Sequence, residues 1–438
     1  MIVKLSKAIT KKAFHEKGWL KLDNAAKLFP AIMSNDLTSV FRITATLKEP
    51  VIYPAVREAV AITSGRFPYF SVSLGSGIFW HFLEFNDQIP RIQFDEETPC
   101  TAFAVKRKNE PLYRVILKRN MISVEFHHII TDGGGALEYL KSLLYTYLTI
   151  TGKKISSSEN IVLPGTDVPE EEYEDAYNKF FQKLPAPDKL AKAWQLPFKI
   201  NKNPRLRVLH VEMNTNELLD LSHRANVSLT EYFVAVYHHA LQKVFLSHEK
   251  PGKKRRRKVL RIEVPVNMRN KLPTRTMRNF SLFVLPEIDL RLGDYTFEEI
   301  VQSVHHQLQI SSDIKQISRF MSSNVSSEKL LLVRLMPLFV KKMVIASVYK
   351  SLARKRWSGI FTNLGRVKLP GEMEEMIDSF ELIPPPPNPK VKVSCALISY
   401  RDKMRFCFCN ISQSLELEQN IIRHFTDAGI YVKLIKND

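Results

Sequence analysis

A chain of 438 residues with 45% hydrophobic content is long enough for two ordinary domains with buried cores, and its four cysteines exclude a disulfide-stapled scaffold and fit a reducing, cytoplasmic setting. The formal charge of +19 favours anionic partners: a phosphorylated cosubstrate, an acidic carrier protein, nucleic acid or an anionic membrane surface. The basic N-terminus carries no apolar core or cleavage pattern of a secretory signal.

In chain order, Phe41 to Leu47 reads as a strand, Tyr53 to Ser64 as a helix, and Arg66-Phe67-Pro68-Tyr69-Phe70-Ser71-Val72 as the turn and strand after it. Tyr113 to Leu117 and Met121 to Phe126 form a hairpin through Lys118-Arg119-Asn120. In its second arm Ile122, Val124 and Phe126 share one side, with Ser123 and Glu125 on the other. Two further residues of strand would place His128 on the apolar face and His127 on the polar one. Gly133-Gly134-Gly135 then supplies a turn without Cβ atoms, and Leu137, Leu140, Leu144, Tyr147 and Leu148 mark a helix that Gly152 stops.

The stretch His127-His128-Ile129-Ile130-Thr131-Asp132-Gly133 is the candidate active site. A histidine at a strand end beside a glycine turn suits a general base, because its ordinary pKa of about 6.5 lets it accept a proton near neutrality. The bland alternative is a buried histidine satisfied by a carbonyl. Four fixed positions, however, arise by chance only on the order of once in a thousand such sequences. His238-His239 and His305-His306 lack the following Asp-Gly and read as packing or surface residues in helices. Neighbouring strand residues point apart, so His127, His128 and Asp132 do not suit one metal ion. Cys395, Cys407 and Cys409 lack a fourth ligand at metal spacing, so buried free thiols and no metal are expected.

Residues 161–204, with prolines at 164, 169, 185 and 187 and the acidic cluster Glu170 to Asp175, read as an interdomain connection between an N-terminal lobe, 1–160, and a C-terminal lobe, 205–438. The acidic cluster reads as a solvated face. In the second lobe Arg207 to Met213 alternates as a strand, Asn216 to Ala225 is a short helix, and Ser228 to Glu231 fits a capping box. Lys253 to Lys258 reads as a solvated basic tip rather than a phosphate groove. The strand Val259 to Val266 leads to Asn267-Met268-Arg269-Asn270, and Arg278-Asn279-Phe280-Ser281 follows. The apolar tract Leu331 to Leu352, cut by Arg334, Lys341, Lys342 and Lys350 and broken near Pro337, is no membrane span. It reads as an amphipathic or buried helical segment with a basic side, and peripheral membrane contact is its minority reading. Trp357 to Thr362 is a strand running into Asn363-Leu364-Gly365, and strands at 391–400 and 404–412 precede a final helix from Leu415.

HHIITDG resembles the HHxxxDG signature of the acyltransferase superfamily that includes chloramphenicol acetyltransferase, condensation domains of nonribosomal peptide synthetases, plant acyl-CoA transferases and alcohol acetyltransferases. RFPYFSV with Phe79-Trp80 resembles the alcohol acetyltransferase branch in particular; PVNMRN, RNFS and TNLGRVKLP follow in the family's order. The resemblance implies an α/β, two-lobed fold of the chloramphenicol acetyltransferase type, with the active-site channel between the lobes. It implies acyl transfer from an acyl thioester, acyl-CoA as cosubstrate or an acidic acyl carrier protein as donor, to an alcohol or amine, with no tightly bound cofactor. The roles it carries over are His128 as base, His127 beside it, Asp132 as anchor for an arginine, and Gly133 as room for the acceptor. Arg66 and Arg269 are rival partners for Asp132; Ser281, Thr362 and Asn363 would line the channel, the last two as oxyanion donors. Alternatives are a non-catalytic binder of this fold, a basic nucleic-acid-binding protein, and the His-x4-Asp spacing of glycerolipid acyltransferases formed by His127 and Asp132.

Overall fold

The computed structural model describes residues 18–95, 98–156, 158–203, 205–249, 258–353 and 356–435. The first half runs β1 (Trp19–Lys21), α1 (Phe29–Ile32), β2 (Val40–Leu47), α2 (Tyr53–Arg66), β3 (Val72–Ser76), β4 (His81–Phe85), β5 (Arg91–Phe94), β6 (Tyr113–Lys118), β7 (Met121–His127) and α3 (Gly133–Ile150). After a connection holding a 3-10 turn at Glu170–Glu172 and α4 (Ala176–Lys179) come β8 (Arg207–Asn214), α5 (Thr215–Arg224), α6 (Leu229–Ser247), β9 (Val259–Asn267), β10 (Ser281–Val284) and β11 (Glu287–Asp289). The chain continues with α7 (Phe297–Ser311), α8 (Ile314–Lys329), α9 (Leu331–Leu335), α10 (Leu338–Ala353), β12 (Gly359–Arg366), α11 (Gly371–Met376), β13 (Ile377–Ile383), β14 (Val393–Tyr400), β15 (Lys403–Asn410), α12 (Glu416–Asp427) and β16 (Lys433–Ile435). Of the basic run, Lys253 to Arg257 lies outside the described residues, as does the N-terminal arm to Lys17.

Two sheets carry the two lobes. One is a five-stranded sheet in the order β13-β2-β7-β6-β5; the other is eight-stranded, β10-β9-β12-β14-β15-β8-β16, with β11 also paired to β9. The first lobe is not built from the N-terminal half alone. Strand β13 crosses from the second half and pairs antiparallel with β2, Phe380 opposite Ala45. A smaller sheet, β1-β4-β3, flanks the first lobe.

Each lobe has its own apolar core, and β14 and β15 form the wall between them. Ala396, Ile398, Tyr400, Cys407 and Cys409 belong to the first core, whereas Cys395, Leu397, Phe406 and Phe408 belong to the second. A strand buried on both faces reads as a continuous apolar run, which is why residues 393–400 are buried throughout. The register sets Cys395 opposite Phe408 and Cys407 opposite Ala396, so Cys395 points away from the other two thiols. All four cysteines are free and buried.

Local signals account for the helix ends. Ser228 and Glu231 make the capping box that starts α6, and a second box, Thr296 with Glu299, starts α7. His238 is fully buried in α6 with Nδ1 against the Val234 carbonyl at 3.0 Å, a packing residue.

Candidate active site

Strand β7 is the middle strand that carries the histidines to the seam of the lobes, paired on one side with β2 and on the other with β6. Both of its faces are buried from Ile122 to His127, so the side read as polar is an internal charge cluster. Glu125 accepts from Arg42 at 2.8 Å, Arg114 at 2.7 Å and the Cys100 N–H at 2.7 Å. Such pairing is what allows a carboxylate to sit in a core.

The strand runs one residue past Phe126, to His127, so His128 lies just beyond it, and the two imidazoles are held as opposite tautomers. His127 is 1% exposed, and its Nδ1 accepts the Ile129 N–H at 3.1 Å, so its proton sits on Nε2. Burial, with the neighbouring His128 ring, drives its pKa down to about 3. His128 is half-buried, its backbone N–H donating to Ser39 at 3.0 Å. Its Nδ1 lies 3.1 Å from the Thr131 carbonyl, which can only accept, so Nδ1 carries the proton and Nε2 the lone pair. The ring lies between Phe41, 4.5 Å between centroids, and Phe29, stacked at 5.5 Å. Burial lowers the His128 pKa, opposed by the Asp132 charge and the Thr131 carbonyl, which favours the neutral ring.

Asp132 is the N-cap of α3 and the clamp between lobes. Its Oδ1 accepts from the N–H groups of Gly134 at 3.1 Å and Gly135 at 3.4 Å. Its Oδ2 accepts from Arg269 Nη1 at 3.0 Å, the Phe280 N–H at 2.8 Å and Ser281 Oγ at 3.1 Å, all from the second half of the chain. Burial raises its pKa, but the Arg269 guanidinium and these donors outweigh it and hold the carboxyl below its ordinary value. The glycine run is therefore the first turn of α3 rather than a loop. A Cβ on Gly135 would lie 2.1 Å from the Met277 carbonyl oxygen and 2.3 Å from Thr131 Oγ1.

Of the two candidate arginines, Arg269 reaches Asp132 and Arg66 does not. Arg66 makes a two-pronged pair with Glu172, both contacts 2.7 Å, and Tyr69 donates to the same carboxylate at 2.7 Å. Glu172 is thus buried, a correction to the reading of the acidic cluster as a solvated face. Asn363 stands away from an oxyanion role: its Nδ2 donates to Thr230 at 2.9 Å and its Oδ1 accepts from Gly365 at 2.8 Å. Thr362 is half-buried in β12 opposite Ala396. The residue of that segment that meets the motif is Leu364, whose Cδ1 lies 3.0 Å from where a Gly133 Cβ would stand.

Several contributors carried no signal of their own. Asn279 donates to the His128 carbonyl at 2.8 Å and to Asp23 at 3.2 Å, and Thr131 Oγ1 donates to the Met277 carbonyl at 2.5 Å. Asn279 could have been found as the neighbour of Ser281 in the RNFS segment; Phe29, Phe41 and Asp23 sit in stretches without a motif. Among the described residues no cluster of His, Cys, Asp and Glu could hold a metal ion, and no helix is long and apolar enough to cross a membrane.

No family model matches the chain, and no curated protein sequence matches it. Solved structures do. A complex of TRI101 from Fusarium sporotrichioides with coenzyme A and T-2 matches at 10% identity with a TM-score of 0.60, covering 95% of this chain and 100% of that one. The first condensation domain of the calcium-dependent antibiotic synthetase, bound to a substrate analogue, matches at 11% identity and TM-score 0.59, covering 93% and 95%. Polyketide synthase associated protein 5 from Mycobacterium tuberculosis matches at 12% identity and TM-score 0.57, covering 93% and 96%. This chain therefore has the two-lobed α/β fold of these acetyltransferase and condensation-domain structures.

Proposed function

We propose that this protein is an acyltransferase that moves an acyl group from an acyl thioester, acyl-CoA, to an alcohol or amine. His128 Nε2 takes the proton of the acceptor as its oxygen or nitrogen attacks the thioester carbonyl. A tetrahedral intermediate forms; the C–S bond then breaks, and the proton returns from His128 to the leaving thiolate. The new C–O or C–N bond forms without a covalent acyl-enzyme, so donor and acceptor are bound together.

The observation that carries this reading is the 3.1 Å contact from His128 Nδ1 to the Thr131 carbonyl. It fixes the ring and its tautomer, leaving the lone pair on Nε2 of a half-buried imidazole. Asp132 works through position: it holds the loop to the second lobe and makes no hydrogen bond to the ring. His127, buried and neutral, supports the fold. Ser281 is turned to Asp132, and Asn363 to Thr230, so the oxyanion donor is assigned to neither. The net charge of +19 suits the phosphates of a CoA nucleotide or the acidic surface of a carrier protein.

Thiol release from acyl-CoA against a panel of alcohols and amines tests the reading. A folded His128→Ala protein should lose about 10²–10⁴ in rate. Full turnover by that variant would remove the mechanism.

A further inference from the structure

We propose that the segment from Lys329 to Val348, with the β3–β4 loop tip at Ile78 and Phe79, is a docking surface for an anionic lipid membrane, with α9 and α10 lying in the plane of the interface.

The polarity of this segment is inverted. In α10 the charged Lys341 is 3% exposed, its Nζ donating to the Phe79 carbonyl at 2.9 Å and lying 3.6 Å from the centre of the Trp80 ring. On the solvent side stand Leu332 at 84% exposure, Leu335 at 60%, Phe339 at 69% and Met343 at 70%. Helix α9 buries none of its residues. The Leu338 N–H donates to the Ile78 carbonyl at 2.9 Å, which joins Ile78, 77% exposed, to the same face. Side chains of this kind scattered singly need no explanation, but a continuous run of them on two helices and a loop marks a binding surface.

Charge and shape select the occupant. From residue 329 to 371 the sequence holds no Asp or Glu, whereas eight Lys or Arg fall between 329 and 356. Arg334 is exposed and Lys342 half-buried among the apolar residues, the arrangement that sets apolar side chains into acyl chains and cations at headgroup level. A peptide partner would need a groove. The cleft beneath this segment, between Leu22, Ala31, Trp80 and Leu338, has a volume of about 10 Å³, room for one water. The surface is also close to the site: α10 packs on α1, whose Phe29 stacks on His128.

The test uses the full chain and does not depend on catalysis. It should sediment with phosphatidylcholine vesicles in which about a third of the lipid is phosphatidylserine, and much less with phosphatidylcholine alone. Leu332→Glu with Leu335→Glu and Phe339→Glu, all at exposed positions, should leave the unfolding temperature unchanged and weaken vesicle binding about tenfold or more. Three results would each overturn the proposal. One is no sedimentation with the anionic vesicles. Another is sedimentation that survives the triple substitution and disappears when Lys253 to Lys258 are neutralised. The third is a dimer, seen by light scattering, that the triple substitution dissolves in a chain that does not bind vesicles.

Discussion

Asp132 and Arg269 are 137 residues apart in sequence and meet at 3.0 Å, Oδ2 to Nη1, across the seam of the two lobes. The same carboxylate caps α3 and accepts the Phe280 N–H, so one side chain fixes the histidine loop to both halves. Removing it takes the carboxylate from the Arg269 cation, which keeps only uncharged acceptors such as the Thr276 carbonyl, and takes the side-chain acceptor from the Gly134, Gly135 and Phe280 N–H groups. Asp132→Ala should cost about 3–5 kcal/mol, the range for breaking a buried pair. Denaturant unfolding measures that loss, and thiol release should fall together with it.

Gly135→Ala should be worse tolerated than Gly134→Ala. At Gly135 the new methyl would meet a backbone oxygen, Met277 O, at 2.1 Å, whereas at Gly134 it would meet the end of the Arg269 side chain at 3.2 Å. A backbone carbonyl on the other lobe yields only if the lobes part. The expected cost is about 1–3 kcal/mol at Gly135 and less than half of that at Gly134, read from unfolding midpoints.

Glu172 ties the connection to the first lobe through Arg66 and Tyr69, while its carbonyl accepts the Met277 N–H at 2.7 Å. Met277 in turn accepts from Thr131 within the motif. Glu172→Ala should therefore destabilise by about 3–5 kcal/mol and also lower activity, although it lies outside the site. Replacing both Arg66 and Glu172 with apolar residues should recover part of the stability, because no charge is then left buried alone.

The parts of this molecule that follow from neighbours in sequence were legible: the hairpin that ends in the histidines, the capping box at Ser228, the break near Pro337. The parts fixed by distant partners were not. Sequence offers Arg66 and Arg269 as equals, and only the position of Glu172 beside Arg66 separates them. The pairing of β13 with β2 joins residues more than 300 apart, with no periodicity to announce it. The end of β7 at His127 depends on Ser39, whose φ of 54° turns β2's entry so that its carbonyl takes the His128 N–H. Register across β14 and β15, not spacing, decides that Cys395 faces away from Cys407 and Cys409.

Buried titratable groups give opposite pH signatures. Burial holds the folded-state pKa of His127 near 3, below its unfolded value of 6.5, so the unfolded chain binds a proton that the folded one does not. Its contribution is fully present above pH 6.5 and is lost as pH falls toward 3. Asp23 runs the other way. Burial raises its pKa from 3.8 to about 6, against the pull of Arg278, so the folded chain binds the extra proton. Stability from Asp23 is present below 3.8 and is lost as pH rises through about 6, by about 3 kcal/mol at 1.36 kcal/mol per unit. Asp23→Asn should remove that slope, so that the variant gains on the wild type as pH rises from about 4 to 6. Because Asn279 bridges Asp23 and the His128 carbonyl, thiol release by the variant should keep its pH midpoint if Asn279 holds its place. Urea titrations at several pH values, run beside the rate profile, check both halves of this prediction.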